Sequence, residues 1–146
     1  MSYETINPEQ ALELMRGDPA HVYLDVRSVD EFEQGHAEGA INIPIAHLGP
    51  GGMTPNADFL RVATKALETS APIVVGCKMG GRSARACEAL SQVGFTQLKN
   101  IDGGFGGRPD AGDPSAQKGW QGSGLPVSTE PAPEQTYRHL EANANG

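Results

Sequence analysis

Residues 72 to 93 read PIVVGCKMGGRSARACEALSQV, and this stretch decides the fold. Its first letters are a short, apolar, β-branched run, which predicts a buried strand. Two glycines follow the cysteine, and from Arg82 to Val93 the apolar residues recur at helical spacing. A strand, a glycine-containing loop and a helix in succession form one unit of an α/β fold. Cys77 therefore lies at the carboxyl end of a predicted strand, where ligands bind in open α/β sheets.

The rest of the chain repeats this alternation. Further strands are predicted at residues 21–27, 40–44 and 95–101. Further helices are predicted at residues 8–17, 28–35 and 57–69, on cap and first-turn signals that include Asn7-Pro8 and a Ser28–Glu31 capping box. The segment at 48–56 is rich in glycine and proline and is predicted as loop. Short strands alternating with helices indicate an α/β fold with a mainly parallel sheet.

Composition and charge exclude several classes of function. The 146 residues carry a net charge of −7, whereas nucleic acid and anionic membranes attract basic patches. No apolar run approaches the ~18 residues of a membrane span, and no secretory signal is recognisable at the beginning. We therefore expect a cytoplasmic protein. Two cysteines form no disulfide framework, and the four histidines show no ligand spacing, so we expect no zinc site.

The loop that begins at Cys77 combines a nucleophile with features that attract anions. Glycine lets the backbone bend so that successive N–H groups point inward, and the following helix adds the positive end of its dipole. A thiolate at the focus of these groups is stabilised. Between Ala71 and Cys87 the sequence has three cations and no acid, which reverses the overall charge. Arg82 can hold two oxygens at once, while Lys78 acts as a movable point charge.

These residues resemble the active-site loop of the rhodanese family of sulfurtransferases. The pattern of a cysteine, two residues, glycine, one residue and arginine is met by Cys77, Gly80 and Arg82. The stretch LDVRSVDEFEQGHAEGAINIP, at 24–44, resembles the family's N-terminal motif, and NIDGGF with the later Trp120 and GLPV resembles its C-terminal end. The resemblance covers residues 6–127 and implies one rhodanese-like domain, with helices on both faces of the sheet.

The resemblance also implies a mechanism and a set of site residues. Cys77 would attack the outer sulfur of thiosulfate or another sulfane donor and carry it as a persulfide, and a thiol or cyanide acceptor then removes that sulfur. The resemblance implies that no metal and no organic cofactor is needed. A partner protein that relays sulfur is compatible with the same chemistry. The residues expected to cradle the sulfur and its anionic donor are Lys78, Met79, Gly80, Gly81 and Arg82. Supporting roles are expected for Asp25, Arg27 and Ser83, and Cys87 is expected in the core of the helix.

The sequence departs from the family's pattern at two places. Arg108 stands where the family has its tryptophan, and Trp120 comes 12 residues later. We interpret residues 106–118 as an insertion and residues 128–146 as a partly disordered C-terminal tail, in which EQTYRHLEA, at 134–142, could form one or two helical turns. Gly76 is unusually small for its position and is expected to leave room beside the sulfur.

Two other functions stay open on the sequence. A cysteine phosphatase or arsenate reductase would place five residues between cysteine and arginine, whereas here there are four. A rhodanese-like docking module without catalysis, or one that relays sulfur between partners, would not need a free donor. The enzymatic interpretation requires the Cys77 sulfur to lie among inward-pointing amide hydrogens. A sulfur packed away from solvent, with those hydrogens pointing elsewhere, would exclude it.

Overall fold

A five-stranded parallel sheet forms the centre of the protein in a computed structural model, which describes residues 3–107 and 117–145. Its strands are β1 (Tyr3–Ile6), β2 (Val22–Asp25), β4 (Ile41–Asn42), β7 (Ile73–Gly76) and β8 (Leu98–Ile101). They lie in the order β1-β8-β7-β2-β4, and every neighbouring pair is parallel. Two antiparallel pairs flank the sheet: β3 (His36–Ala37) with β9 (Val127–Ser128), and β5 (Ala46–Gly49) with β6 (Gly52–Pro55).

Helices cover both faces of the sheet, as the sequence predicted. In the described residues the α-helices are α1 (Pro8–Gly17), α2 (Val29–Gln34), α3 (Phe59–Ala66), α4 (Gly81–Gln92), α5 (Gly119–Gly122) and α6 (Tyr137–Ala144). One core cluster joins α3, α4 and α6 to the sheet, and the other joins α1, α2 and α5 to its opposite face. None of the helices within residues 3–107 and 117–145 is both long and apolar enough to cross a bilayer.

Local signals account for several element boundaries. The predicted capping box of Ser28 and Glu31 forms at the start of α2, and the predicted N-cap Asn7 forms a further capping box with Gln10 at the start of α1. The helix predicted from residue 57 begins at Phe59, because Asn56 caps no helix. The Asn56 side chain donates from Nδ2 to the Pro44 carbonyl at 2.8 Å, and its Oδ1 accepts from the Asp58 N–H at 3.0 Å.

The segment at 48–56, predicted as loop, contains a β-hairpin instead. Strand β5 pairs with β6 from Ala46 opposite Pro55 to Gly49 opposite Gly52. Most of its residues are exposed, so the strands show no apolar alternation that would mark them in the sequence.

The C-terminal segment, predicted to be partly disordered, ends in a helix that belongs to the core. Thr136 caps α6, and Tyr137 and Ala144 are buried against the cluster that contains α3 and α4. Leu140 packs against the same cluster, so the apolar residues of α6 follow helical spacing. The helical turns that the sequence allowed at 134–142 form over Tyr137–Ala144, and their docking against the core was not predicted.

Candidate active site

Cys77 follows β7 directly, and its sulfur accepts a backbone hydrogen bond although the residue is only 1 % exposed. The Gly80 N–H donates to Sγ at 3.0 Å, and the Ser83 hydroxyl oxygen lies 3.4 Å from the same sulfur. The sulfur is therefore packed away from solvent, but amide hydrogen is directed at it. Only the first half of the condition that would exclude the enzyme is met.

The backbone at Gly80 turns the chain from strand into helix. Gly80 has φ +121°, a conformation that side-chain-bearing residues rarely adopt, and it is the N-cap of α4. The N–H groups of Gly81, Arg82 and Ser83 belong to the first turn of this helix, where amides have no intrahelical acceptor. These amides and the helix dipole together place positive potential beside the sulfur.

A second glycine loop holds the active-site loop from the other side. The Phe105 N–H donates to the Cys77 carbonyl at 2.7 Å, and the Gly106 N–H donates to the Lys78 carbonyl at 2.8 Å. A Cβ on Gly104, whose φ is +50°, would overlap the Cys77 carbonyl oxygen. The NIDGGF motif is glycine-rich because two backbones meet here.

Arg82 was expected to hold two substrate oxygens, and in the structure it holds the two oxygens of Glu31. Its guanidinium donates to Oε1 at 2.7 Å and to Oε2 at 3.1 Å. Partial burial alone would raise the pKa of Glu31, but the hydrogen bonds from Arg82 and Ser28 outweigh it and lower that pKa to about 2. Glu31, which belongs to the capping box of α2, thus also binds Arg82 at the start of α4, a second role that sequence analysis did not assign.

The remaining loop side chains face outward. Lys78, Met79 and Gly81 are exposed or half-buried, and the Met79 side chain is 50 % exposed. Lys78 lines a cavity of about 320 Å³ next to the loop, together with Arg27, Glu31, Gln34, Phe105 and Gln121. A polar cavity with a mobile ammonium group at its wall can accept an anionic ligand.

Asp25 and Arg27 form a buried ion pair beneath this cavity. Arg27 Nη2 lies 2.8 Å from Asp25 Oδ2 and also donates to the Gly35 carbonyl at 2.7 Å. The Arg27 backbone N–H donates to Asp25 Oδ1 at 3.0 Å. The guanidinium stacks over the Phe105 ring at 4.3 Å. The pair therefore joins the N-terminal motif to the glycine loop that contacts Cys77.

Gly76 leaves no room beside the sulfur, contrary to expectation. The Tyr23 hydroxyl occupies the space that a side chain at residue 76 would need: a Cβ on Gly76 would lie 2.5 Å from the hydroxyl oxygen. Tyr23 in turn packs edge-on against Trp120, which donates to the Pro126 carbonyl at 2.7 Å. The small residue before the cysteine accommodates the core, not a ligand.

Cys87 lies in the same core cluster as Cys77 but has apolar surroundings. It is fully buried on α4, as the sequence predicted. Burial, with smaller contributions from Cys77 and Glu88, raises the pKa of its thiol to about 12.

Asn100 is the site residue that sequence analysis missed. It lies on β8 and is buried, with its Oδ1 2.5 Å from the Ser83 hydroxyl oxygen. The signal was available, because a polar residue inside a short buried strand needs a hydrogen-bond partner.

Most of the predicted insertion lies outside the described residues, which omit 108–116. Its two ends meet: a Cβ on Gly119 would collide with the Gly107 backbone. The Trp120 and Gln121 amides then donate to the Gly104 and Phe105 carbonyls at 2.8 and 3.0 Å. The chain thus resumes at residue 119 beside the point where it left, and the insertion stays a prediction. Within residues 3–107 and 117–145, no group of three or more His, Cys, Asp or Glu side chains is placed to hold a metal ion.

A cysteine at the carboxyl end of a central parallel strand, held by the first turn of a helix, defines a cysteine-loop α/β domain. The sequence matches the profile of the Rhodanese-like domain over residues 7–107, and the chain belongs to the rhodanese family. The resemblance and fold inferred from the sequence are thereby confirmed.

Similar proteins come from plants and bacteria. Thiosulfate sulfurtransferase 16, chloroplastic, of Arabidopsis thaliana is 43% identical over 107 residues, which is 73% of this chain and 79% of that protein. Thiosulfate sulfurtransferase GlpE of Pseudomonas putida is 37% identical over 103 residues, which is 70% of this chain and 82% of the relative. The crystal structure of Rv0390 from M. tuberculosis superposes with a TM-score of 0.73 at 28% identity, covering 87% of this chain and 98% of that one.

Proposed function

We propose that this protein is a sulfurtransferase that moves sulfane sulfur from thiosulfate or a persulfide donor to a thiophilic acceptor through a persulfide on Cys77. The observation that carries the proposal is the Gly80 N–H directed at Cys77 Sγ from 3.0 Å, at the beginning of α4. A hydrogen-bond donor and a helix N-terminus beside a sulfur atom favour its anion over the thiol.

The chemistry needs no group beyond the donor, the acceptor and Cys77. The thiolate attacks the outer sulfur of thiosulfate, a new S–S bond forms, and the original S–S bond breaks as sulfite leaves with its electron pair. The outer sulfur of the persulfide then carries the negative charge. A thiolate or cyanide acceptor attacks that sulfur, takes it, and restores the Cys77 thiolate.

The free amides of the first turn of α4 are proposed to hold the persulfide charge. Gly80 already contacts the inner sulfur, and the Gly81 and Arg82 N–H groups have no intrahelical acceptor. Fixed donors aimed at a charge that develops during the reaction lower its energy without reorganisation.

Lys78 and Arg82 are proposed to attract the anionic donor, with unequal contributions. Lys78 is exposed at the wall of the neighbouring cavity, whereas Glu31 already offsets most of the Arg82 charge. We expect Lys78→Ala to raise KM for thiosulfate more than Arg82→Ala does, as measured by steady-state kinetics. Asp25, Arg27 and Ser83 are proposed to support the loop from below.

The burial of Cys77 favours a compact donor. At 1 % exposure its sulfur is reached by a small group that projects into the loop, not by a bulky substrate. A thiosulfate ion or the terminal sulfur of a persulfide meets this requirement. Both cysteines are free thiols, so we place the reaction in a reducing compartment, with the cytoplasm as the expected one.

The geometry supports catalysis over the two alternatives. A docking module has no use for an N–H directed at a cysteine sulfur. A phosphatase-type loop needs one more residue than the four between Cys77 and Arg82, because the number of residues sets the radius of the amide ring. A protein that relays sulfur is compatible with the proposal, since a partner's persulfide would serve as donor.

The test is the mass of the intact protein after incubation with thiosulfate. We expect a gain of one sulfur atom, mapped to Cys77, which disappears when a thiol or cyanide is added. Cys77→Ser serves as the control and gains nothing. A wild-type protein that takes up no sulfur, from thiosulfate or from a small-thiol persulfide, contradicts the proposal.

A further inference from the structure

The Ser83 hydroxyl has three polar neighbours and a single proton to donate. It is fully buried, and its oxygen lies 3.4 Å from Cys77 Sγ, 3.1 Å from the Gly80 carbonyl and 2.5 Å from Asn100 Oδ1. Carbonyl and carboxamide oxygens only accept, so the Ser83 proton is directed to one of them. A lone pair of the hydroxyl then faces the sulfur, and the Cys77 S–H donates to it.

Ionisation of Cys77 makes this arrangement unfavourable. A thiolate only accepts, and the lone pair of the Ser83 oxygen would face it. If the hydroxyl turns towards the sulfur, the buried Asn100 oxygen loses its donor. Rotating the Asn100 carboxamide by half a turn solves this, because its NH2 group then donates to the Ser83 oxygen.

The rotation of Asn100 breaks no other hydrogen bond within residues 3–107 and 117–145. Its side chain contacts Ser83 and has no second polar partner there. The backbone of Asn100 stays in the sheet, opposite Val75 of β7 and Thr5 of β1. Nothing in the packing of the strand calls for an asparagine, which is a poor strand residue and is costly to bury.

We propose that Ser83 and Asn100 form a reversible hydrogen-bond relay that stabilises the thiolate of Cys77. With the thiol, the donors run from Cys77 through Ser83 to Asn100; with the thiolate, they run from Asn100 through Ser83 to the sulfur. Ser83 is a catalytic residue in this scheme because it contacts the reacting sulfur, and Asn100 is a positioning residue that acts through it. The thiol proton leaves to solvent, and Asn100 takes up none. The inference rests on the proposed function insofar as this thiolate is the nucleophile.

Several charged or titratable groups also act on the sulfur, and the variants below leave all of them in place. Tyr23 from β2 and Arg82 and Cys87 from α4 interact electrostatically with Cys77. Asp25 and Arg27 surround Tyr23, and Lys78 adjoins Cys77 in the chain. A change caused by removing Ser83 or Asn100 is therefore measured against a constant background of charge.

The test is the rate at which iodoacetamide alkylates Cys77 as a function of pH, followed by peptide mass spectrometry. We expect Ser83→Ala to raise the pH of half-maximal rate by about one pH unit, the loss of one hydrogen bond to a charged group. Asn100→Leu is expected to raise it by a smaller amount, because the Ser83 hydroxyl still contacts the sulfur but loses the donor that supports it. The double variant is expected to move no further than Ser83→Ala, because Asn100 acts only through Ser83. Ser91→Ala is the matched control on the same helix, because within residues 3–107 and 117–145 that hydroxyl donates only to the Glu88 backbone carbonyl, and it is expected to leave the profile unchanged.

The outcomes separate the relay from the proposed function. An unchanged profile in both single variants, or shifts that add in the double variant, overturns the relay. If Asn100→Leu does not fold, as judged by its thermal unfolding, Asn100→Val replaces it with a residue suited to a strand. A wild-type protein that forms no persulfide contradicts the proposed function. Because alkylation does not depend on sulfur transfer, the pH profile of alkylation still tests the relay in that case.

Discussion

The loop before α4 and the middle of α4 each bury a cysteine, but the sulfur has polar neighbours in the loop and apolar ones in the helix. Cys77 and Cys87 are 1 % and 0 % exposed, and both belong to the same core cluster. The Gly80 N–H and the Ser83 hydroxyl lie against the sulfur of Cys77. Cys87 has no hydrogen-bond partner in the described part of the chain, and burial raises its pKa to about 12.

Two equally buried thiols can therefore have different hydrogen-bond surroundings. Burial disfavours a thiolate when the surroundings are apolar, whereas fixed N–H and O–H donors replace the lost water. The start of a helix supplies such donors because its first amides have no intrahelical acceptor. The middle of the same helix supplies none, since its amides are used within the helix.

The largest expected effect is on sulfur transfer itself. Cys77→Ser is expected to abolish transfer from thiosulfate to cyanide, because a serine hydroxyl forms no persulfide. Cys87→Ala is expected to keep the activity and to cost about 1 kcal/mol of stability for the cavity it leaves. Steady-state assays and thermal unfolding measure the two effects. Full activity in Cys77→Ser would erase the distinction between the two cysteines.

The reactivity of the two thiols is expected to differ strongly in the folded protein. Iodoacetamide is expected to label Cys77 below pH 8 and to leave Cys87 unmodified, because a thiol with a pKa of about 12 has almost no thiolate there. Peptide mass spectrometry distinguishes the two sites. The unfolded protein in denaturant is the control and is expected to label at both; equal rates in the folded state would contradict the comparison.

The glycine loop that holds Cys77 can be tested separately from the sulfur. Gly104→Ala is expected to cost about 3 kcal/mol and to reduce sulfur transfer, because the new Cβ overlaps the Cys77 carbonyl oxygen at a positive φ. Gly51→Ala is the matched control, since a Cβ there meets nothing within 4 Å, and it is expected to change stability by less than about 0.5 kcal/mol. Chemical denaturation measures both, and similar values for the two variants would mean that the loop yields freely.

The smallest expected effect concerns the Glu31–Arg82 pair. The pKa of Glu31 is lowered from 4.5 to about 2, so the pair stabilises the fold fully above pH 4.5 and loses this contribution as the pH falls towards 2. Glu31→Gln is therefore expected to be less stable than wild type at neutral pH, with the gap closing below pH 4.5. Glu33→Gln, an exposed position on the same helix, is the control. A gap that stays constant down to pH 2 would show that Arg82 does not depend on the Glu31 charge.

Much of the fold and the nucleophile could be predicted from short stretches of sequence. Several features depend only on residues a few positions apart in the chain. They are the capping boxes of α1 and α2, the β-branched run of β7 and the glycine at residue 80. The hairpin at 46–55 and the docking of α6 were missed. The hairpin is exposed and lacks alternation, and α6 gains its partner only when α3 lies beside it.

What the sequence by itself determined is the succession of strands and helices along the chain, which depends on local periodicity, and the family, which depends on short motifs. The choice of Cys77 over Cys87 as the nucleophile is a prediction from the residues of one loop. Tertiary structure decided that Arg82 meets Glu31, 51 residues away, and that Ser83 meets Asn100, 17 residues away. It also decided that the sulfur is buried. The physical reason is that a side chain's partner is set by which elements the sheet brings together, and contacts across such distances follow from strand order, which no single stretch of sequence encodes.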